Sequence, residues 1–230
     1  MSVREAPVAV GIDACRTGWF AVVLEGGTAR GLHLESLDEL AERVPGVDGI
    51  AVDIPLALPA RGRRDADVLA KRLLGARHPV VFFTPPLAAL EAPDHATAST
   101  INRDLTGNGL SQQSFALRAK ILEARDWLPS APAPVWEAHP EVSFVTLTGA
   151  PIPFPKRTWA GVRLRTSALA SAGITVPDDD VEAAGIAVDD VLDAAVTAWT
   201  ALRCIEGRAI SIPEDPDQPD GVGAVPAMFA

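Results

Sequence analysis

The stretch "VGIDACRTGW", residues 10–19, ends an apolar strand on an acid and then turns back at once. The strand spans residues 7–13, and "WFAVVLE", residues 19–25, predicts its hairpin partner across a short turn. An aspartate at the end of a strand can cap the turn, hold a metal ion or meet a phosphate. The role of Asp13 therefore depends on which other side chains the fold brings to it.

The elements after this hairpin predict an α/β fold, in which helices flank a mixed sheet. Two more strands are expected over residues 28–35 and 48–55, and Ser36 can cap a short helix that runs to about Arg43. The later elements are one extended segment and two helices, over residues 135–144, 158–173 and 189–206.

We expect one domain over residues 1–230. Residues 56–130 form a mainly helical insertion within it, because apolar residues recur there at helical spacing. Examples are "RRDADVLAKRLLG" at 63–75 and "SQQSFALRAKILEARDWLP" at 111–129. Residues 213–230 are rich in Pro, Asp and Gly, which predicts a tail on the surface.

The composition is that of a folded protein, with 48% hydrophobic and 22% charged residues. No apolar run reaches the roughly 20 residues that a membrane span needs, and the N-terminus lacks the apolar stretch of a secretory signal. Cys15 and Cys204 lie far apart without a metal-binding spacing, which predicts free thiols. We therefore expect a cytoplasmic protein without a membrane partner; the oligomeric state is left open.

The net charge of −10 argues against an obvious nucleic-acid binder. Residues 178–220 alone hold twelve acids and two bases, however, so the remainder of the chain is neutral. Basic residues cluster at 61–77 and at 156–165, where the alternatives are solvated helix faces and phosphate contacts. The candidates for phosphate contacts are Arg64, Arg72, Arg77 and Lys156, and Lys156 could also stabilise a transition-state oxygen.

Asp13 and Asp53 share one context, since each follows an apolar strand at the end where open α/β sheets place their sites. Two carboxylates at the ends of neighbouring strands repel each other unless a cation lies between them. Asp190 and Asp193 are three residues apart and project from one face of the last helix. Turn capping and the helix dipole are the alternative explanations for these acids.

Strand acid, strand acid and helix acids, in this order, suit phosphodiester cleavage with two metal ions. Carboxylate oxygens favour Mg²⁺ or Mn²⁺, so these are the expected cofactors. Glu137 in "EAHPE" is a further candidate metal ligand or proton acceptor, because in a strand it would share one face with His139 and Glu141. The alternative for "EAHPE" is a polar edge strand with a capped turn.

Six stretches of the chain are considered together: "GIDACRTGW", "AVDIP", "RRDADVLAKRLLGARHPVVFFTPP", "GLSQQSFALRAKI", "WEAHPEVSF" and "DDVLDAAVTA". They resemble an uncharacterised bacterial and archaeal family of predicted RNase H-like nucleases, domain of unknown function 429. The resemblance implies a ribonuclease H-like core with a helical insertion, and a carboxylate site at Asp13, Asp53, Asp193 and Asp190. The helix acid pair is also similar to that of Holliday-junction resolvases.

The expected function is that of a metal-dependent nuclease, a phosphodiester hydrolase acting on nucleic acid or on a nucleotide. Actin-like kinases and ATPases are one alternative, but their phosphate loop needs Gly two residues after the acid, where this chain has Cys15. A non-catalytic regulatory domain on the same fold is the other alternative.

Overall fold

The computed structural model describes residues 6–178 and 181–230, apart from the side chains of residues 182 and 183. Contacts along the backbone divide the chain into two units. The first contains the described parts of residues 1–54, 130–210 and 229–230, and the second contains residues 55–129 and 211–228.

Five strands form one sheet in the first unit: β1 (Val8–Cys15), β2 (Gly18–Glu25), β3 (Thr28–Leu34), β4 (Gly49–Val52) and β5 (Val135–Glu137). Their order is β3-β2-β1-β4-β5. The first three strands pair antiparallel, whereas β4 runs parallel to β1 and β5 runs parallel to β4. This arrangement confirms the predicted α/β fold with a mixed sheet.

The last helix, α10 (Val188–Ile205), packs directly on β1, β2 and β4. Gly11 makes this close approach possible, because a Cβ atom there would lie 1.9 Å from the backbone nitrogen of Ala198 and 2.3 Å from the carbonyl oxygen of Ala194. Backbone therefore packs on backbone at the centre of β1. Small residues on the helix face, including Ala194 and Ala198, leave the space that this contact requires.

Two further helices pack on α10: α7 (Pro140–Thr148) and α8 (Trp159–Ser171). The extended segment predicted over residues 135–144 is therefore wrong beyond Glu137. Pro140 begins a helix instead, since its fixed φ and its missing N–H group suit the first turn of a helix.

The shorter elements of the first unit follow local capping signals. Ser36 and Glu39 form a capping box ahead of α1 (Leu40–Arg43), as the sequence predicted for a helix in this place. A one-turn helix, α9 (Val181–Ala184), precedes α10.

The second unit is mainly helical, with α2 (Asp65–Leu74), α3 (Leu87–Leu90), α4 (His95–Thr106), α5 (Gln112–Ala116) and α6 (Arg118–Trp127). The single helix predicted over residues 111–129 is divided at Leu117, which ends α5 and precedes α6. Ser111 caps α5 by accepting a hydrogen bond from the Ser114 N–H, as expected of a Ser in that place.

The segment predicted as a surface tail is only partly exposed. Ala224, Ala227 and Met228 are buried, and the backbone groups of Ile210 and Ala230 exchange two hydrogen bonds. Two short strands, β6 (Ser211–Ile212) and β7 (Met228–Phe229), form a second sheet. Within the described residues, none of the helices combines the length and the apolar character that a membrane span requires.

We predict that Gly11→Ala destabilises the protein by about 1–3 kcal/mol, the usual penalty for overpacking a core, because the added methyl group must displace the α10 backbone. Denaturant unfolding of the purified variant measures the change. Gly221→Ala is the control, since nothing lies within 4 Å of the corresponding Cβ position. Equal losses in the two variants would contradict the proposed importance of the Gly11 contact.

Candidate metal centre

The fold brings three acids together at the carboxyl ends of β1 and β4. Asp13 lies near the end of β1, Asp53 follows β4 directly, and Asp193 lies in the second turn of α10. Each offers one carboxylate oxygen, and the three oxygens lie within 4.8 Å of one another. Asp13 and Asp193 are buried, whereas Asp53 is partly exposed.

Strand register explains why the two strand acids meet. Ile12 pairs with Val52, and the Asp53 N–H donates to the Ile12 carbonyl at 2.8 Å, so Asp13 and Asp53 occupy the same level of the sheet. Gly11 faces α10, and side chains two residues apart share a face of a strand. Asp13 therefore also faces α10, where Asp193 is located one residue before Ala194.

The donor set suits a hard divalent cation. Oxygens bound to one Mg²⁺ at about 2.1 Å lie roughly 3 to 4 Å apart, so small rotations of the three side chains would suffice to share an ion. Asp193 Oδ1 is buried and has no hydrogen-bond partner in the structure. An unsatisfied buried carboxylate oxygen is costly, and a bound cation would satisfy it. The residues present therefore fit Mg²⁺ or Mn²⁺.

The electrostatics of the cluster are those of crowded, dehydrated acids. Burial, together with the charges of Asp53 and Asp193, raises the pKa of Asp13 well above its ordinary value. Burial also raises the pKa of Asp53 to about 7 and that of Asp193 to about 7, although Lys156 opposes both shifts. These groups titrate as a set, and without a cation the set retains protons near neutral pH.

Lys156 places a positive charge against the acids of the cluster. Its ammonium group donates a hydrogen bond to Asp193 Oδ2 and lies 3.7 Å from Asp189 Oδ2. Burial disfavours the charged form, but the attraction of Asp193, Asp13 and Asp53 outweighs this effect and raises the pKa of Lys156. The sequence predicted Lys156 as a phosphate contact, and the structure places it against the acids.

Two other predicted acids, Asp190 and Glu137, are not part of this group of three. Asp190, three residues before Asp193, is partly buried, and burial followed by the charge of Asp189 raises its pKa. Glu137 pairs with Val52, so the register places it on the face of the sheet opposite to Asp53. Glu137 is buried, and its charge contributes to the raised pKa of Asp53.

The three predicted arginines lie in the second unit. Arg64 is buried, with its guanidinium group bound to Asp67 Oδ1 at 2.6 Å and to the Ala57 carbonyl at 3.0 Å. These bonds make Arg64 part of the interior of its unit and leave it poorly placed for a phosphate. Arg72 is exposed on α2, and Arg77 lies in the turn of 3₁₀-helix that follows it. A phosphate contact for Arg72 and Arg77 stays a prediction.

Sequence reasoning missed the ion pair between Arg157 and Asp189. Arg157 Nε donates to Asp189 Oδ2 at 2.8 Å, and Asp189 is buried. Asp189 is the second residue of α10, whose N-cap position is Ala187. A signal was available in the adjacent bases Lys156 and Arg157, which the three acids at 189–193 could be expected to attract.

A model of the family described as "Protein of unknown function (DUF429)" matches residues 11–218. The chain belongs to the DUF429 family. The match includes Asp13, Asp53 and Asp193, and it confirms the resemblance to this domain of unknown function. No curated protein and no solved structure matches the chain. The description of DUF429 names no activity, so any function has to be argued from the site itself.

We predict that Asp53 makes the stability of the metal-free protein depend on pH. The pKa of Asp53 is about 7 in the folded state, compared with 3.8 as its ordinary value, so between these values the folded state binds more protons than the unfolded state. The stability contributed by the protonated carboxyl is present below about pH 4 and is lost as pH rises through about 7. Asp53→Asn, compared with the wild type by denaturant unfolding in a chelator, should therefore gain relative stability over this interval.

Saturating Mn²⁺ should stabilise the wild type most at high pH, because a metal binds the deprotonated carboxylates. A difference between wild type and Asp53→Asn that stays constant from pH 4 to pH 8 would contradict the raised pKa.

Proposed function

We propose that this DUF429 protein is a metal-dependent phosphodiester hydrolase of ribonuclease H-like fold that acts on nucleic acid. The observation that carries the proposal is the meeting of Asp13, Asp53 and Asp193, from two strands and a distant helix, within 4.8 Å. Turn capping alone does not explain this proximity, because three carboxylates so close together, two of them buried, repel one another. A cation-binding role accounts for the arrangement.

The strand order supports the fold assignment. Three antiparallel strands followed by two parallel ones, with the final helix packed on the first strand, agree with the ribonuclease H-like core that the sequence resemblance implies. The acids stand at the carboxyl ends of the parallel strands β1 and β4, where open α/β sheets place their ligands.

Asp13, Asp53 and Asp193 would hold the cations. Asp190 lies three residues before Asp193 on α10. Bound Mg²⁺ or Mn²⁺ would lower the pKa of the attacking water and neutralise the leaving oxygen. Lys156 contributes a positive charge at the rim of the acids, where it can orient a phosphate oxygen. Its partial exposure leaves that group within reach of a substrate.

One observation favours a second candidate, a non-catalytic domain that retains the fold. The ammonium group of Lys156 already neutralises part of the negative charge at Asp193. If Lys156 were the permanent counter-ion of the cluster, the protein would need no metal there.

We predict that Asp13→Asn lowers Mg²⁺- or Mn²⁺-dependent cleavage by about a thousandfold or more, equivalent to about 4 kcal/mol of transition-state stabilisation. The measurement uses single-stranded, duplex, hybrid and branched nucleic acids, together with nucleotides, each assayed with both metals. Asp104→Asn, which changes an exposed acid on α4, is the matched control and should retain full activity. Circular dichroism verifies the fold, and full activity in Asp13→Asn would remove the mechanism.

We predict that Lys156→Met separates the two candidates in the absence of any substrate. In a metal centre, loss of the ammonium group lowers the melting temperature of the metal-free protein above pH 7, and Mn²⁺ then raises it by more than in the wild type. In a metal-independent domain the melting temperature of the variant falls by the same amount without metal, and Mn²⁺ does not raise it again. Thermal unfolding with and without Mn²⁺ distinguishes these results.

A further inference from the structure

Two aromatic side chains, one in the segment between α7 and α8 and one at the start of α8, are exposed to solvent. Trp159, the first residue of α8, is 81% exposed, and Phe154 is 46% exposed. Aromatic side chains bury about 150–250 Å² each and account for much of the stability of cores and interfaces. An exposed tryptophan is therefore available for binding a ligand.

Contacts with the acids fix the position of this segment. Lys156 binds Asp193, and Arg157 binds Asp189, so the chain is anchored to the start of α10 two and three residues before Trp159. Trp159 is therefore three residues along the chain from Lys156, whose side chain contacts Asp193 of the candidate metal centre.

The backbone of the segment is held rigidly from the other side. Arg165 is fully buried, pairs with Glu141 at 2.5 Å and donates to the carbonyl oxygens of Phe154 and Gly161 at 3.1 Å. Gly161 lies so close that a Cβ atom there would be 2.0 Å from the Pro155 carbonyl oxygen. These contacts order the backbone that carries the aromatic side chains, which lowers the backbone entropy lost on binding a ligand.

The charges around Trp159 indicate what binds there. Arg157 has a side chain 76% exposed, and Arg163, one turn further along α8, lies on the same helix face as Trp159. An exposed indole ring flanked by cations suits a nucleobase that stacks on the ring, with its phosphates near the guanidinium groups. A paired base inside a duplex has no free face for such stacking.

We propose that Trp159 is a stacking platform for an unpaired nucleotide, which makes single-stranded DNA or RNA the substrate class of the adjacent site. The proposal rests on the proposed function, because it takes the carboxylate cluster as the place where the strand is cut. A strand that stacks one base on Trp159 would bring its phosphates near Lys156, which contacts Asp193.

The test measures binding rather than cleavage. Fluorescence anisotropy follows labelled single-stranded 12-mers, as DNA and as RNA, in Ca²⁺, which binds oxygen ligands and offsets the negative charge of the acids. Trp159→Ala should weaken binding by about 5- to 150-fold, the range expected for loss of one stacked base. Trp159→Phe, which keeps an aromatic face, should bind within about threefold of the wild type.

Two controls separate stacking from other roles of the side chain. Trp159→Leu keeps apolar bulk without a ring and should be as weak as Trp159→Ala. Ile210→Ala removes another exposed apolar side chain of the same unit and should leave affinity unchanged. The platform is refuted if Trp159→Ala or Trp159→Leu binds single strands as tightly as the wild type does. It is also refuted if a duplex binds as tightly as a single strand and with the same dependence on Trp159. A change of oligomeric state in Trp159→Ala also refutes it, since the tryptophan would then contact a second copy of the chain.

The same experiment distinguishes failure of this proposal from failure of the proposed function. Trp159-dependent binding of single strands without any cleavage in Mg²⁺ or Mn²⁺ would leave the platform standing and remove the hydrolase. Cleavage that persists, with binding indifferent to Trp159, would remove the platform alone. Absence of both binding and cleavage would overturn both proposals.

Discussion

The contact between Gly11 and the backbone of α10 determines the rest of the candidate site. With no side chain at Gly11, the helix lies against the centre of β1, and the buried residues of both elements close around that contact. Asp193 immediately precedes Ala194, whose carbonyl oxygen touches Gly11, so the helix delivers its acid to the strand acid two residues further along β1. A larger residue at Gly11 would push α10 away from β1 and so separate Asp193 from Asp13 and Asp53.

The resulting cluster is unfavourable by itself. Dehydration and mutual repulsion raise the pKa values of Asp13, Asp53 and Asp193, and Lys156 offsets only part of this. Apolar side chains of similar volume would pack there without such a penalty. Perturbed acids that share a polar site are characteristic of binding and catalysis, where a cation or a proton in transit satisfies them. The energetic disadvantage of the metal-free cluster is thus a physical argument for a function, and the unpartnered Asp193 Oδ1 adds to it.

Sequence patterns predicted the elements that local chemistry determines. The alternation and turn signals around Asp13 identified β1 and β2, and the Thr158 cap identified α8. The extended reading of 135–144 failed because apolar residues after Pro140 cannot be assigned to strand or helix by pattern alone. The meeting of Asp13 with Asp193 follows from register and from helix packing over 180 residues of chain; the order of the acids and the family resemblance predicted a shared site, but not the packing that forms it. The burial of Arg64 could not be predicted, because nothing in the sequence indicates that its partner Asp67 is buried.

Arg165 shows how a buried charge can serve a site that it does not touch. A buried guanidinium group needs acceptors for its donors, and here Glu141 and two backbone carbonyls accept from its two terminal nitrogens, whereas the buried Nε has no hydrogen-bond partner among the described residues. One of those carbonyls belongs to Phe154, which begins the segment that carries Lys156 to the acids. Loss of Arg165 would free this segment and leave the Glu141 carboxylate without the guanidinium. The interior ion pair and the exposed bases therefore act as one structure: the pair orders the backbone, and the ordered backbone holds the positive charges against the carboxylates.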